Sequence, residues 1–114
     1  MDFKDKKVLI VGLGLHGGGV GAVKFFAQKG AWITVTDLRS AKILQPSLKK
    51  LSGLKNIKYV LGLHNPKDFS SADFILKGPG VKPNSKYLAG ARKLRIPILN
   101  DIAIFLAECP AKII

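Results

Sequence analysis

The chain has 114 residues, 47% of them apolar, with 19 Lys and Arg against 7 Asp and Glu and a formal net charge of +12. That length suits one compact domain, and so high an apolar fraction excludes a disordered basic tail. No apolar run nears the ~18 residues of a membrane span, the mixed-charge start lacks a cleavage site, and a single cysteine, Cys109, excludes an internal disulfide.

Residues 8–11, Val-Leu-Ile-Val, form a continuous apolar run that ends in glycine. A strand apolar on both faces suits the interior of a parallel sheet covered by helices. Beyond the glycines, Val20, Val23, Phe26 and Ala27 recur at helical spacing, and Gly30 is placed to end that helix. Residues 32–36, β-branched and closed by Asp37, read as a second strand. A weaker helical pattern runs from 41 to 51 and contains Pro46. Residues 58–61 make a third strand, and His64 in Leu63-His-Asn-Pro66 reads as the end of a loop.

A fourth strand is expected over 73–76, followed by the turn Gly78-Pro79-Gly80. Ser85 is a candidate cap for a helix that carries Tyr87, Leu88, Ala91 and Leu94 inward. A fifth strand covers 96–99, Asp101 is placed to cap a last helix through Ile104 and Phe105, and 110–114 looks like the opening of another strand. Strands alternating with helices specify an α/β fold, a Rossmann-like open parallel sheet with helices on both faces in a single domain.

Gly12-Leu-Gly14-Leu-His-Gly17 has the G-x-G-x-x-G spacing, follows the first strand and opens a helix. The first glycine allows the tight turn, the second lets a ligand meet bare backbone, and the third lets helix and strand pack closely. A helix N-terminus presents unpaired N–H groups and partial positive charge, which suit a diphosphate. Asp37, twenty residues past Gly17 at the tip of the second strand, can accept hydrogen bonds from a ribose or base. The competing reading, that the glycines serve packing alone, must explain Gly18, Gly19 and Gly21, because each glycine costs a helix roughly 1 kcal/mol. Something close by needs the room.

The turn at Lys77-Gly78-Pro79-Gly80-Val81 lies on the same C-terminal edge of the sheet, where open α/β sheets bind ligands. His16 is either an anion donor within the phosphate turn or a solvent-facing loop residue, and Arg39 either helps hold a phosphate or lies on the surface. Cys109, beside Pro110, reads as an inert packed thiol. No acid–base pair stands out as catalytic.

The charge is diffuse. Residues 1–57 carry ten Lys or Arg and three Asp or Glu, and residues 58–114 carry nine and four. Arginine occurs only at 39, 92 and 95, whereas base edges and phosphate forks favour arginine. A lysine-rich solvated surface is expected, with no nucleic acid and no membrane among the partners.

Taken together, the motifs resemble the N-terminal domain of the Mur ligases, in particular the members that add D-glutamate to UDP-N-acetylmuramoyl-L-alanine. The resemblance rests on the run from Lys7 to Gly14, that from Gly30 to Asp37, Gly62-Leu-His-Asn-Pro66, Asp73 leading to Gly78-Pro79-Gly80-Val81, residues 96–99 and Asp101-Ile-Ala-Ile-Phe105. It implies that residues 1–114 are a UDP-substrate-binding N-terminal domain, with ATPase and C-terminal domains of the same chain beyond them. Gly14, Leu15 and His16, with Asp37, Leu38 and Arg39, would cradle uracil and ribose, Gly78, Pro79 and Gly80 would face diphosphate and sugar, and Gly12 and Gly17 would belong to the same UDP site. The implied partner is UDP-N-acetylmuramoyl-L-alanine. ATP and Mg²⁺ would serve the full-length enzyme, with no cofactor, metal or catalytic residue in this part. Such an enzyme activates the substrate carboxylate as an acyl phosphate, in the cytoplasm, during peptidoglycan precursor synthesis. The family commonly has Ser or Asn where this chain has Gly78, an acidic residue at Ala103, and a small polar residue or lysine at His16. The alternative is an NAD(P)-binding domain of a dehydrogenase or sensor, in which Asp37 would hold the adenine ribose.

Overall fold

The computed structural model describes residues 3–13, 18–78 and 86–99. In chain order these form β1 (Lys7–Val11), α1 (Gly18–Gln28), β2 (Trp32–Asp37), α2 (Ala41–Lys50), β3 (Ile57–Leu61), α3 (Pro66–Ser71), β4 (Phe74–Lys77), α4 (Lys86–Lys93) and β5 (Ile98–Leu99). The strands make one sheet in the order β3-β2-β1-β4-β5, and every pairing is parallel.

β1 is central because it is apolar on both faces. Val8 and Ile10 enter one buried cluster with Val20, Val23 and Phe26 of α1, while Leu9 and Val11 enter another with Phe69 of α3 and Leu88 and Ala91 of α4. Period-two alternation therefore feeds two cores, one under each helix layer. Phe3 closes the first core, its ring 4.8 Å from Phe26 and 5.2 Å from Phe74 in edge-to-face contact.

α1 ends as its sequence predicts. Gly30 has φ +79°, its N–H reaches the Ala27 carbonyl at 3.1 Å, and the Ala31 N–H reaches Phe26 at 3.1 Å. That pair of bonds is a Schellman cap, and only glycine takes its left-handed position without strain. α2 runs through Pro46, which lies on the exposed side while Leu44 and Ser47 face inward.

Several expectations shift. β4 covers Phe74–Lys77, because Asp73 is held outside it: its N–H donates to the Lys7 carbonyl and its Oδ2 accepts from the Lys7 N–H, each at 2.8 Å. β5 is cut to two residues. Leu94 does not point inward but is 57% exposed just past α4, whereas Leu88 and Ala91 are buried as expected. After His64, in a segment to which the sequence reading assigned no element, stands α3, with Asn65 Oδ1 accepting from the Lys67 N–H at 3.0 Å and Pro66 in the first turn. Ser85, the 101–105 helix, Cys109 and the 110–114 strand lie outside the described residues.

Candidate functional site at the C-terminal sheet edge

The strand order reverses between β1 and β4: from β1 the chain steps outward through β2 to β3, then returns to β4 on the other side. A crevice opens at such a point outside the carboxyl ends of the strands, and both glycine turns begin there.

Gly12 leaves β1 with φ +91°, and its N–H donates to the Thr36 carbonyl at 2.8 Å. A side chain at that φ costs roughly 1–2 kcal/mol. Leu13 follows, 1% exposed, and its N–H donates to Asp37 Oδ2 at 2.9 Å. Across the gap, the Gly78 N–H donates to the Val11 carbonyl at 2.9 Å. A Cβ on Gly78 would stand 3.1 Å from the Gly12 carbonyl oxygen and 3.2 Å from that of Val11. The second turn is thus drawn tightly against the first.

Close packing of helix and turn is seen at Gly19. A Cβ there would fall onto the Leu13 carbonyl, within 2.7 Å of its carbon, while Gly21 faces open space. The room that the glycine-rich helix start implies is therefore used at least once by the protein's own backbone.

Asp37 is 3% exposed and its carboxylate is already engaged. Besides Leu13, it accepts from the Arg39 N–H at 2.9 Å and from Arg39 Nε at 3.1 Å, both through Oδ1. Arg39 thus folds back onto Asp37, with its side chain 46% exposed. Leu38 between them is 65% exposed on the rim. The loop after β3 joins the same cluster, since the Gly62 N–H donates to the carbonyls of Asp37 at 2.8 Å and Arg39 at 3.0 Å. Gly62 has φ +84°.

Of the residues expected at the site, the structure gathers Gly12, Asp37, Leu38, Arg39 and Gly78 at one edge. Gly14, Leu15, His16, Gly17, Pro79 and Gly80 lie outside the described residues. Three residues at this edge escape motif reading: Thr36, Gly62 and His64. His64 Nδ1 is 2.7 Å from Thr36 Oγ1, and burial pulls its pKa below the ordinary histidine value while the Asp37 charge pushes it up. The signal available for them was Gly62 directly after a strand and the Asn65-Pro66 helix start. Among the described residues no group of His, Cys, Asp and Glu could hold a metal ion, and no helix is long and apolar enough to cross a membrane.

A five-stranded parallel sheet in this order, with a glycine turn at its β1/β4 switch point clasped by the acid that ends β2, defines a Rossmann-like α/β domain. A family model described as the Mur ligase MurD-like N-terminal domain matches residues 6–100, and the chain belongs to that family. It is 44% identical over 114 residues to the UDP-N-acetylmuramoylalanine–D-glutamate ligase of Roseiflexus sp. (strain RS-1), covering 100% of this chain and 24% of that one. With the ligase of the same name from Treponema pallidum (strain Nichols) it shares 44% over 112 residues, 97% of this chain and 21% of that one. The chain therefore spans about a quarter of the length of the curated relatives it matches. The solved UDP-N-acetylmuramate-alanine ligase MurC from Thermotoga maritima aligns with a TM-score of 0.70 at 20% identity, over 93% of this chain and 23% of that one, a likeness of fold.

Proposed function

We propose that this domain holds the UDP part of UDP-N-acetylmuramoyl-L-alanine for an ATP-dependent ligase that adds D-glutamate to it in peptidoglycan precursor synthesis. The observation that carries the reading is the clasp at the β1/β4 switch point, where Asp37 braces Leu13 and the turns at Gly12 and Gly78 pack against each other. The family match and the names of the relatives supply the substrate.

The domain's part in such a reaction is to bind and orient. Backbone N–H groups at the start of α1 offer donors and partial positive charge to a diphosphate. Leu38, exposed on the rim, offers an apolar surface to the base, and Arg39 offers a guanidinium that already has Asp37 as its hinge. Gly14, Leu15 and His16 would stand with them against uracil and ribose, Pro79 and Gly80 would face the diphosphate and sugar, and Gly17 would complete the glycine turn. ATP and Mg²⁺ supply carboxylate activation in the full-length enzyme; the sequence here holds no Gly-x-x-x-x-Gly-Lys-Ser/Thr loop to cradle ATP. Catalysis therefore belongs to other domains of that enzyme, and the setting is the cytoplasm. Nucleic acid and membrane have no part in it.

Calorimetric titration of the 114-residue chain with UDP-N-acetylmuramoyl-L-alanine, UDP, NAD and NADP tests the reading. Binding of the two uridine compounds and not of the dinucleotides is expected. A chain that takes NAD or NADP and ignores the uridine compounds is a dinucleotide domain instead.

A further inference from the structure

His64 is the ionisable side chain of this edge for which the substrate reading has no task. It sits between the end of β3 and α3, half-buried, with its ring edge-to-face against Phe69 at 5.6 Å and Tyr87 at 5.2 Å. Phe69 and Tyr87 stack on each other at 5.2 Å, so α3 and α4 grip the imidazole together. That grip holds the plane of the ring, with Nδ1 turned toward β2.

In that orientation Nδ1 lies 2.7 Å from Thr36 Oγ1, and the same hydroxyl lies 3.1 Å from the Leu63 carbonyl oxygen. A carbonyl oxygen can only accept, and a hydroxyl has one proton. With both contacts made as hydrogen bonds, the Thr36 proton goes to Leu63 and the hydroxyl lone pair accepts from the ring. That arrangement assigns the imidazole proton to Nδ1.

Thr36 is wholly buried, and its position matters to the crevice twice. Its carbonyl accepts from the Gly12 N–H at 2.8 Å, which sets the exit from β1. The next residue, Asp37, accepts from the Leu13 N–H at 2.9 Å through its carboxylate and from the Gly62 N–H at 2.8 Å through its carbonyl. One side-chain bond from the β3–α3 loop thus reaches the residue on which the glycine turn hangs.

We propose that His64 is a positioning residue of the nucleotide site: as an Nδ1–H donor it fixes Thr36, and through Thr36 the Gly12 and Leu13 backbone from which the glycine turn springs. This rests on the uridine-diphosphate reading of the crevice. His64 need not touch the ligand, and it is not catalytic.

The test uses the 114-residue chain and three variants. His64→Phe keeps a ring between Phe69 and Tyr87 and removes the donor; Thr36→Val removes the hydroxyl; Thr36→Ser retains it. With wild type binding UDP-N-acetylmuramoyl-L-alanine, His64→Phe and Thr36→Val should each weaken it roughly tenfold, the scale of one hydrogen bond. The double variant should be no weaker than Thr36→Val alone, since the His64 bond is already absent there. Thr36→Ser should bind within about twofold of wild type, a rescue that the bulk of the residue alone does not explain. Two measurements without ligand separate this from the substrate reading. Nitrogen NMR of wild-type His64 should show Nδ1 protonated and Nε2 bare at neutral pH, and the amides of Gly12 and Leu13 should exchange faster in folded His64→Phe. If wild type binds no uridine compound, the substrate reading fails while these still decide the positioning role. An Nε2–H tautomer, unchanged Gly12 and Leu13 exchange, or an undiminished affinity in His64→Phe would overturn it.

Discussion

Asp37 is placed by spacing as a ligand acid, yet in the folded chain its carboxylate braces the turn, accepting from the N–H groups of Leu13 and Arg39 and from the Arg39 guanidinium. An isosteric amide cannot repeat that pattern, because its NH₂ must face one of those donors. Asp37→Asn should therefore lower stability by about 1–3 kcal/mol in urea unfolding; an unchanged midpoint would show that the brace contributes nothing. Gly19 and Gly21 look alike in sequence and are opposites in space. Gly19→Ala drives a methyl into the Leu13 carbonyl and should cost about 1–3 kcal/mol. Gly21→Ala meets nothing within 4 Å and should gain about 0.5–1 kcal/mol from helix propensity. The same denaturation series reads both.

His64 sets a pH dependence at this scale too. Burial holds its folded pKa below the ordinary value of 6.5, with the Asp37 charge opposing. Below that value the unfolded chain takes up a proton that the folded ring resists, so unfolding gains ground as pH falls from about 6.5 toward the folded pKa. Phe69, Tyr87 and Thr36 face the ring, and Lys86 lies over the Tyr87 ring at 5.3 Å. His64→Phe should flatten this acid-side decline in a thermal melt series; an identical pH profile would assign the titration elsewhere. Spacing located Gly12 and Asp37 at the edge because each answers to a local rule. His64 was unreadable because its partners, Thr36, Phe69 and Tyr87, come from three other elements.

At the level of elements, periodicity worked where a segment was long enough to show it. α1 and its Gly30 cap follow directly from residues 20–30. α3 has six residues, less than two turns, so no apolar stripe can develop and only its Asn65-Pro66 start is visible. α2 persists through Pro46 because Leu44, Ser47 and Leu51 are buried on its inner side, and tertiary burial outweighs the missing backbone bond. Pro46→Ala should restore that bond and add about 1–2 kcal/mol, less than the full penalty of an internal proline because the unfolded chain gains freedom as well. Calorimetric melting checks it, and a lowered midpoint would mean that Pro46 is needed for the chain's path. Leu94 shows the limit of spacing: the helix ends at Lys93, and the residue one step beyond no longer shares its face.

Across the whole molecule, stability should be graded by distance from β1. β1 is buried between two strands and two helix layers, whereas β3 has no buried residue and β5 has two residues. Amides of Leu9 and Ile10 should exchange only on global unfolding, and those of Lys58 and Leu99 well before it, in native-state hydrogen exchange. Equal protection across the sheet would show that the edges do not open separately. The α3/α4 side covers β1 and β4 and leaves Trp32 of β2 52% exposed beside a groove of about 450 Å³ that Lys58 and Asp68 also line.

The sequence by itself determined the alternation of strand and helix, the parallel sheet and the glycine turn with its acid, because periodicity, capping and the φ demands of glycine act over a few residues. Only the tertiary structure decided the strand order β3-β2-β1-β4-β5, the seating of Gly19 on Leu13 and the hold of His64 on Thr36. Those depend on distances between segments far apart in the chain, which no local pattern encodes.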